Sequence, residues 1–272
     1  MLVVVVFFPL QLLTAGVTSF MDKGKRGIGD AVLSVGCVTA FGLVVALLGS
    51  VVLSVIARGF PAIRFSFLSQ NNIYISPTTD LAYGGIGHAL LGTLLVVLIA
   101  TLIAVPLGIA SAIYITDIKG RAAGFVRFMV QAMSGVPSIV AGLFILSAVL
   151  YPITKGYSGF MGALALTILM IPTVARTSEE VLNLIPQDLR EAGTALGGTQ
   201  WRTVAMIVLP AARSGLITAM ILGVARIAGE TAPLLLLTGG GDKVNPNAFS
   251  GPMGSLPYYI WKSFNAGSEE AI

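Results

Sequence analysis

The feature that most constrains this chain is the absence of charge over long apolar stretches. No Asp, Glu, Lys or Arg occurs in 31–57, 89–116, 128–154 or 156–175. A helix crossing the hydrocarbon core of a bilayer needs about 20 predominantly apolar residues, and each stretch is long enough. A fifth, 211–237, differs in carrying Arg226 and Glu230 inside. In lipid every backbone N–H and C=O must be bonded within the protein, so such segments cross as helices. The expectation is an all-α polytopic membrane bundle with five spanning helices.

Composition agrees. Hydrophobic residues make up 56% of the 272 residues and charged residues 10%, against about 25% charged in an average soluble domain. The net charge is +4, but the Lys and Arg are scattered without a basic run, which argues against nucleic acid as a partner. The single cysteine, Cys37, has no internal disulfide partner, and the single histidine, His88, leaves little for His-based catalysis. His88 is expected at the membrane interface.

Orientation follows from Lys and Arg in the loops. Segments 22–30, 117–127 and 176–213 carry ten, whereas the alternating segments carry five: Arg58, Arg64, Lys155, Lys243 and Lys262. The first set is therefore expected in the cytoplasm. The chain reads as an N-terminal apolar segment with a basic cytoplasmic stretch (1–30), a first span (31–57), an external loop (58–88), a core (89–238) with a cytoplasmic loop at 177–210, and an external Gly- and Pro-rich segment (239–272). Residues 1–21 are compatible with an extra span, an interfacial segment or a mis-assigned start. The 239–272 segment shows no helical periodicity, and its Tyr258, Tyr259 and Trp261 suit a headgroup boundary.

Prolines recur inside the spans, at Pro106, Pro137, Pro172 and Pro233. Each removes a backbone donor and tends to kink its helix. Such breaks expose backbone polar groups in transporters, although proline is also simply more common in membrane helices. Ser134 and Ser138 flank Pro137 and offer hydroxyls either to a substrate or to the backbone. Several chemistries are missing. There is no G-x-x-x-x-G-K-[ST] phosphate loop, no H-E-x-x-H and no G-x-S-x-G. Energy for any pumping must come from a partner or from an ion gradient.

The 177–210 loop is strongly patterned. Pro186 can open a short helix in which Leu189, Ala192 and Leu196 share one apolar face. Gly197-Gly198 stops it. Thr199 can cap a second short helix holding Trp201, Val204, Met206 and Ile207, before Pro210 opens the fifth span. Two short helices joined by a glycine turn form either a docking knob for another protein or a hairpin resting on the bilayer.

Within that loop, Glu191-Ala192-Gly193, three residues, Gly197, nine residues and Ile207-Val208-Leu209-Pro210 resemble the EAA loop of binding-protein-dependent ABC importer permeases. The pattern departs only at Gly193, where that family usually has Ala. Further segments are similar to the phosphate-specific permeases of the PstA type: 225–233 around Arg226, Glu230, Thr231 and Pro233, 135–144 around Pro137, and 174–180 around Arg176. The resemblance covers roughly 30–270. It implies that the loop docks into a cleft on a cytoplasmic ATPase subunit through Glu191, Ala192, Gly193, Gly197, Ile207, Leu209 and Pro210. It implies as partners a second, PstC-like permease, two PstB-like ATPase subunits carrying ATP and Mg, and an external PstS-like phosphate-binding protein, with no cofactor in this chain itself. The family also has a sixth span after the external segment. This chain lacks it, so a truncated C-terminus is expected.

Arg226 and Glu230 sit four apart, expected on one helix face. A charge near the bilayer centre costs from about 2.5 to more than 10 kcal/mol, so both must face a protein interior or a wet cavity. They are either a mutually neutralising structural pair or a substrate contact. With the resemblance, the pathway set is Arg226, Glu230, Thr231, Ser134, Ser138 and Arg176, with Arg176 serving equally as a topology anchor. A lone gradient-driven carrier would need no docking loop, and a membrane enzyme would need a catalytic constellation. The expected function is a permease subunit of an ATP-driven phosphate importer, with another anion or small solute as the alternative cargo.

Overall fold

The structure is a computed structural model that describes residues 14, 17, 21, 25–73 and 83–265. The reading of 1–21 falls almost wholly outside the described residues, as does the end of the chain after 265. The chain divides into two compact units, Met1–Ile63 and Arg64–Ile272. In the first, α1 (Lys25–Gly59) is one uninterrupted helix of 35 residues. Most of its residues from 29 to 59 are exposed, Ala31 being buried.

The second unit holds the remaining described helices: α2 (Phe65–Ser69), α3 (Gly87–Ile118), α4 (Ala123–Ser134), α5 (Ser138–Thr154), α6 (Gly159–Asn183), α7 (Gln187–Ala195), α8 (Gln200–Ala228), α9 (Ala232–Leu237) and α10 (Leu256–Asn265). Four described helices, α1, α3, α6 and α8, are long and apolar enough to cross a membrane. A fifth crossing exists only if α4 and α5 count as one span, because they meet at 105°. The sequence suggested a single helix over 128–154. The break has a local cause: Gly135 ends α4, and Pro137 disfavours helical backbone at Val136 and withholds its own N–H.

The centre of this unit is α6. Two thirds of its apolar window is buried (67%), against 22% for α3 and 28% for α8. Small residues let the backbones approach, as is usual between membrane helices. A Cβ at Gly108 of α3 would lie 2.9 Å from the Val174 side chain, and one at Gly223 of α8 would lie 2.7 Å from it. Contacts of Val96 near Gly159 and of Gly108 near Val174 set α3 and α6 running in the same direction, with α8 antiparallel to both. Val96, Ala100, Ala104, Leu166, Met170, Val174 and Ile227 fill the space between them.

Three further expectations change. The fourth span was expected to end at 175, yet α6 continues to Asn183, held by buried Leu182 among Ala112, Val208 and Ala212. Pro210 does not open a separate span. A π turn at Val204–Val208 carries the hairpin's second arm straight into α8, and its wider hydrogen-bond spacing accommodates the missing proline N–H. Segment 239–272 is not devoid of helix: Leu256–Asn265 form α10. Its ten residues, with Pro257 at the start, were too short a signal beside so many glycines. The backbone N–H of Leu256 donates to Thr93 Oγ1 (2.8 Å), seating α10 on α3.

Candidate coupling hairpin and membrane pathway

Segments 117–127 and 176–213 meet at one end of the second unit, as their shared basic character suggested. Arg127 donates to Glu179 Oε1 through Nε (3.0 Å) and Nη2 (2.6 Å), so Glu179 does not simply face water. At the same end α7 and the start of α8 form the hairpin. Pro186 caps α7, Gly197 turns the chain with φ +82°, and Thr199 Oγ1 accepts from the N–H of Arg202. These local expectations hold. The direction of the apolar face was not legible. Leu189 is 42% exposed, Leu196 88%, and Ala192 and Glu191 are exposed as well. The buried position of α7 is Gly193. A Cβ there would lie 2.6 Å from Thr203 Cγ2 and 2.7 Å from Ile207 Cδ1. The glycine at the one position that departs from the EAA pattern therefore closes the hairpin tightly, and an added methyl would not fit without movement. Ile207 is half-buried beside it, Leu209 is half-buried, and Pro210 is exposed on α8.

Polar contacts tie α7 to the bundle. Arg190 is ion-paired with Asp117, whose side chain is 3% exposed, at the end of α3. Arg190 Nη2 also donates to the Leu182 carbonyl near the end of α6 (2.6 Å). Gln200 Nε2 donates to the Asp117 carbonyl (2.5 Å), and Thr116 Oγ1 donates to Asp117 Oδ2 (2.7 Å). Burial pulls the pKa of Arg190 below its ordinary value, yet a guanidinium stays charged at neutral pH. A cavity of about 470 Å³ opens beside this cluster. Sequence reasoning missed Asp117 and Gln200. Asp117 did carry a signal, as the lone acidic residue of the basic segment 117–127.

Arg226 and Glu230 form an ion pair, with side chains 52% and 11% exposed. Glu230 does not share the helix with Arg226. It lies in a break at 229–231, where Gly229 ends α8 and Pro233 prevents its continuation. One turn back, Gly223 packs on Met170 and Val174 near the middle of α6, which sets the pair at mid-bundle depth. Thr231 opens α9 without a side-chain cap. A Cβ at Gly142 of α5 would lie 3.0 Å from Pro233 Cα, so the break at 135–137 and the break at 229–231 are neighbours within about a turn.

The remaining candidates separate. Ser134 donates to the Val130 carbonyl (2.9 Å), while Ser138 opens α5 beyond the bend. They do not share a helix face, because the two helices diverge there. Arg176 is exposed on α6, two turns before its end rather than at it. The helices run through Pro106 and Pro172 without interruption, whereas Pro137 and Pro233 each stand beside a break.

At the opposite end, His88, at the start of α3, is buried within the protein and meets the Tyr259 ring edge-on at 5.5 Å. Lys262 pairs with Asp242 (2.6 Å), and the Asp242 carbonyl accepts from the N–H of Asn72 (3.0 Å). Among the described residues no group of three or more His, Cys, Asp or Glu is arranged to hold a metal.

Comparison with known proteins agrees with the motifs. The family model of the binding-protein-dependent transport system inner membrane component matches residues 104–256. The phosphate transport system permease protein PstA 1 of Mycobacterium tuberculosis is 41% identical over 262 residues, covering 94% of this chain and 81% of that protein. The phosphate transport system permease protein PstA of Pasteurella multocida is 37% identical over 216 residues, covering 78% of this chain and 74% of that protein. A structure of the MetNI methionine ABC transporter in inward-facing conformations overlays with a TM-score of 0.46 at 25% identity, over 53% of this chain and 68% of that one. On the family match and these identities, the chain belongs to the binding-protein-dependent transport system inner membrane components, among the PstA permease proteins.

Proposed function

We propose that this chain is the transmembrane permease subunit of an ATP-driven importer of inorganic phosphate in a prokaryotic plasma membrane, supplying half of an alternating-access pathway. The observation that carries the reading is the hairpin. Its glycine side closes inward through Gly193, while Leu189, Ala192 and Leu196 face away from the bundle and Glu191 is exposed where it lines the cavity. An amphipathic helix with its apolar face outward needs a groove to bury it. A cytoplasmic ATPase subunit supplies that groove, so the basic end faces the cytoplasm. ATP and Mg bind on two such subunits, a PstC-like permease completes the pathway, and a PstS-like protein delivers phosphate from outside.

Arg226 is the best candidate for substrate contact. It lies at mid-bundle depth, half of its side chain is exposed, and lipid is a costly neighbour for a charge there. The second permease and a wet pathway between the two satisfy it. Its planar fork suits a tetrahedral oxyanion. Glu230 holds Arg226 when the pathway is empty, and phosphate competes for the guanidinium when it arrives. The start of α5 lies nearby, where backbone N–H groups lack intrahelical partners and favour an anion. Ser138 and Thr231 line the two breaks, Ser134 flanks one of them, and Arg176 offers a further exposed cation on α6.

Labelled phosphate uptake tests this reading, in cells lacking their own high-affinity importer and supplied with the complete complex. ATP-dependent uptake lost in both Glu191→Lys and Arg226→Gln is expected. Full uptake in Arg226→Gln would remove the contact role. ATP turnover without any phosphate uptake in the parent would remove phosphate as the cargo.

A further inference from the structure

The hairpin reaches α6 and α8 through the chain itself, since 184–186 join α6 to α7 and α8 begins within the hairpin. No such covalent route leads to α3. Yet both arms of the hairpin are bonded to one residue at the end of α3. Arg190 of the first arm pairs with the Asp117 carboxylate, and Gln200 of the second donates to the Asp117 carbonyl. That carbonyl lies in the π turn Tyr114–Ile118, where the last carbonyls of a helix lack intrahelical partners. The first arm has little apolar anchorage, its one buried residue being Gly193. A cavity of about 470 Å³, lined in part by Thr116, Asp117, Arg190, Glu191 and Gln200, leaves room beside the contact for the hairpin to shift. Helix α3 packs along the central helix through Val96, Ala100, Ala104 and Gly108, so displacement of its end is transmitted into the core.

We infer that Asp117, Arg190 and Gln200 form a polar joint that passes motion of the docking hairpin to α3, making Asp117 a positioning residue for the coupling of ATP hydrolysis to transport. The inference rests on the proposed docking of the hairpin to an ATPase subunit. Removing one charge leaves the other buried and unpaired, which endangers folding, whereas replacing both is commonly tolerated. The informative variant is therefore Asp117→Asn/Arg190→Gln, which removes both charges together and leaves an amide at each position. The complete complex with its ATPase subunits and binding protein is reconstituted in liposomes, and phosphate carried per ATP hydrolysed is measured. The double variant is expected to retain its ATPase subunits on purification while this ratio falls about threefold to tenfold. A parental ratio in the assembled double variant would overturn the joint. Glu191→Lys runs alongside. If it still co-purifies its ATPase subunits, the docking reading fails and takes the joint with it. If it loses them while the double variant keeps the parental ratio, the joint alone fails.

Discussion

Replacing Gly92 by alanine tests how the segment before α10 is seated on α3. A Cβ at Gly92 would fall inside the van der Waals shell of the Gly254 carbonyl oxygen, 2.9 Å from Met253 Cγ and 3.0 Å from the Gly254 carbonyl carbon. Carbon atoms prefer about 3.5–4.0 Å. The obstruction is mostly backbone, and that backbone is pinned on both sides. Met253 N–H donates to the Thr238 carbonyl (2.9 Å), and Leu256 N–H donates to Thr93 Oγ1 (2.8 Å). Overpacking costs about 1–3 kcal/mol, against about 0.5–1 kcal/mol that alanine gains over glycine in a helix. The net loss is about 1–2 kcal/mol, or about 2–8 °C of melting temperature for a unit of this size. Gly124→Ala in α4 is the matched control, because nothing lies within 4 Å of its added methyl. Thermal unfolding of both variants is followed by tryptophan fluorescence, with Trp261 of α10 next to the affected segment. A Gly92→Ala protein that melts with or above Gly124→Ala would refute the reasoning.

Gly197→Ala should cost about 1–2 kcal/mol for conformation alone, since φ is +82° and the added methyl meets nothing within 4 Å; hydrogen exchange should rise first in the hairpin at 187–203, and unchanged exchange there would contradict it. Lys262→Met removes a pair with Asp242 whose side chains are 43% and 38% exposed, so the melting temperature should change by no more than about 1 kcal/mol warrants, less at high salt. Arg226→Lys keeps the charge but loses the fork, so phosphate uptake should fall below parent while remaining above Arg226→Gln.

The legible part of this protein lay in local signals. Charge-free length marked α1, α3 and α6 as spans, because the bilayer demands it of any segment that crosses. The hairpin was legible to the residue at Pro186, Gly197 and Thr199, since each acts on its own backbone through a fixed φ, a left-handed turn or a side-chain cap. The broken helices were legible only in part. Four prolines stood inside spans, but α3 and α6 run through Pro106, which is exposed, and Pro172, which is buried, without interruption. At the two breaks a glycine, Gly135 or Gly229, ends one helix before the proline, Pro137 or Pro233, that stands at the start of the next.

Length, charge pattern and motif spacing by themselves determined a membrane bundle, its basic end and its helical hairpin. Tertiary structure alone decided which way the face of Leu189, Ala192 and Leu196 turns, that Asp117 meets Arg190, that Glu179 meets Arg127 and that His88 is buried under Tyr259. Periodicity states which residues share a face but not what that face meets. An ion pair between helices distant in sequence exists only once the packing of Gly108 and Gly223 around α6 has set where each helix ends.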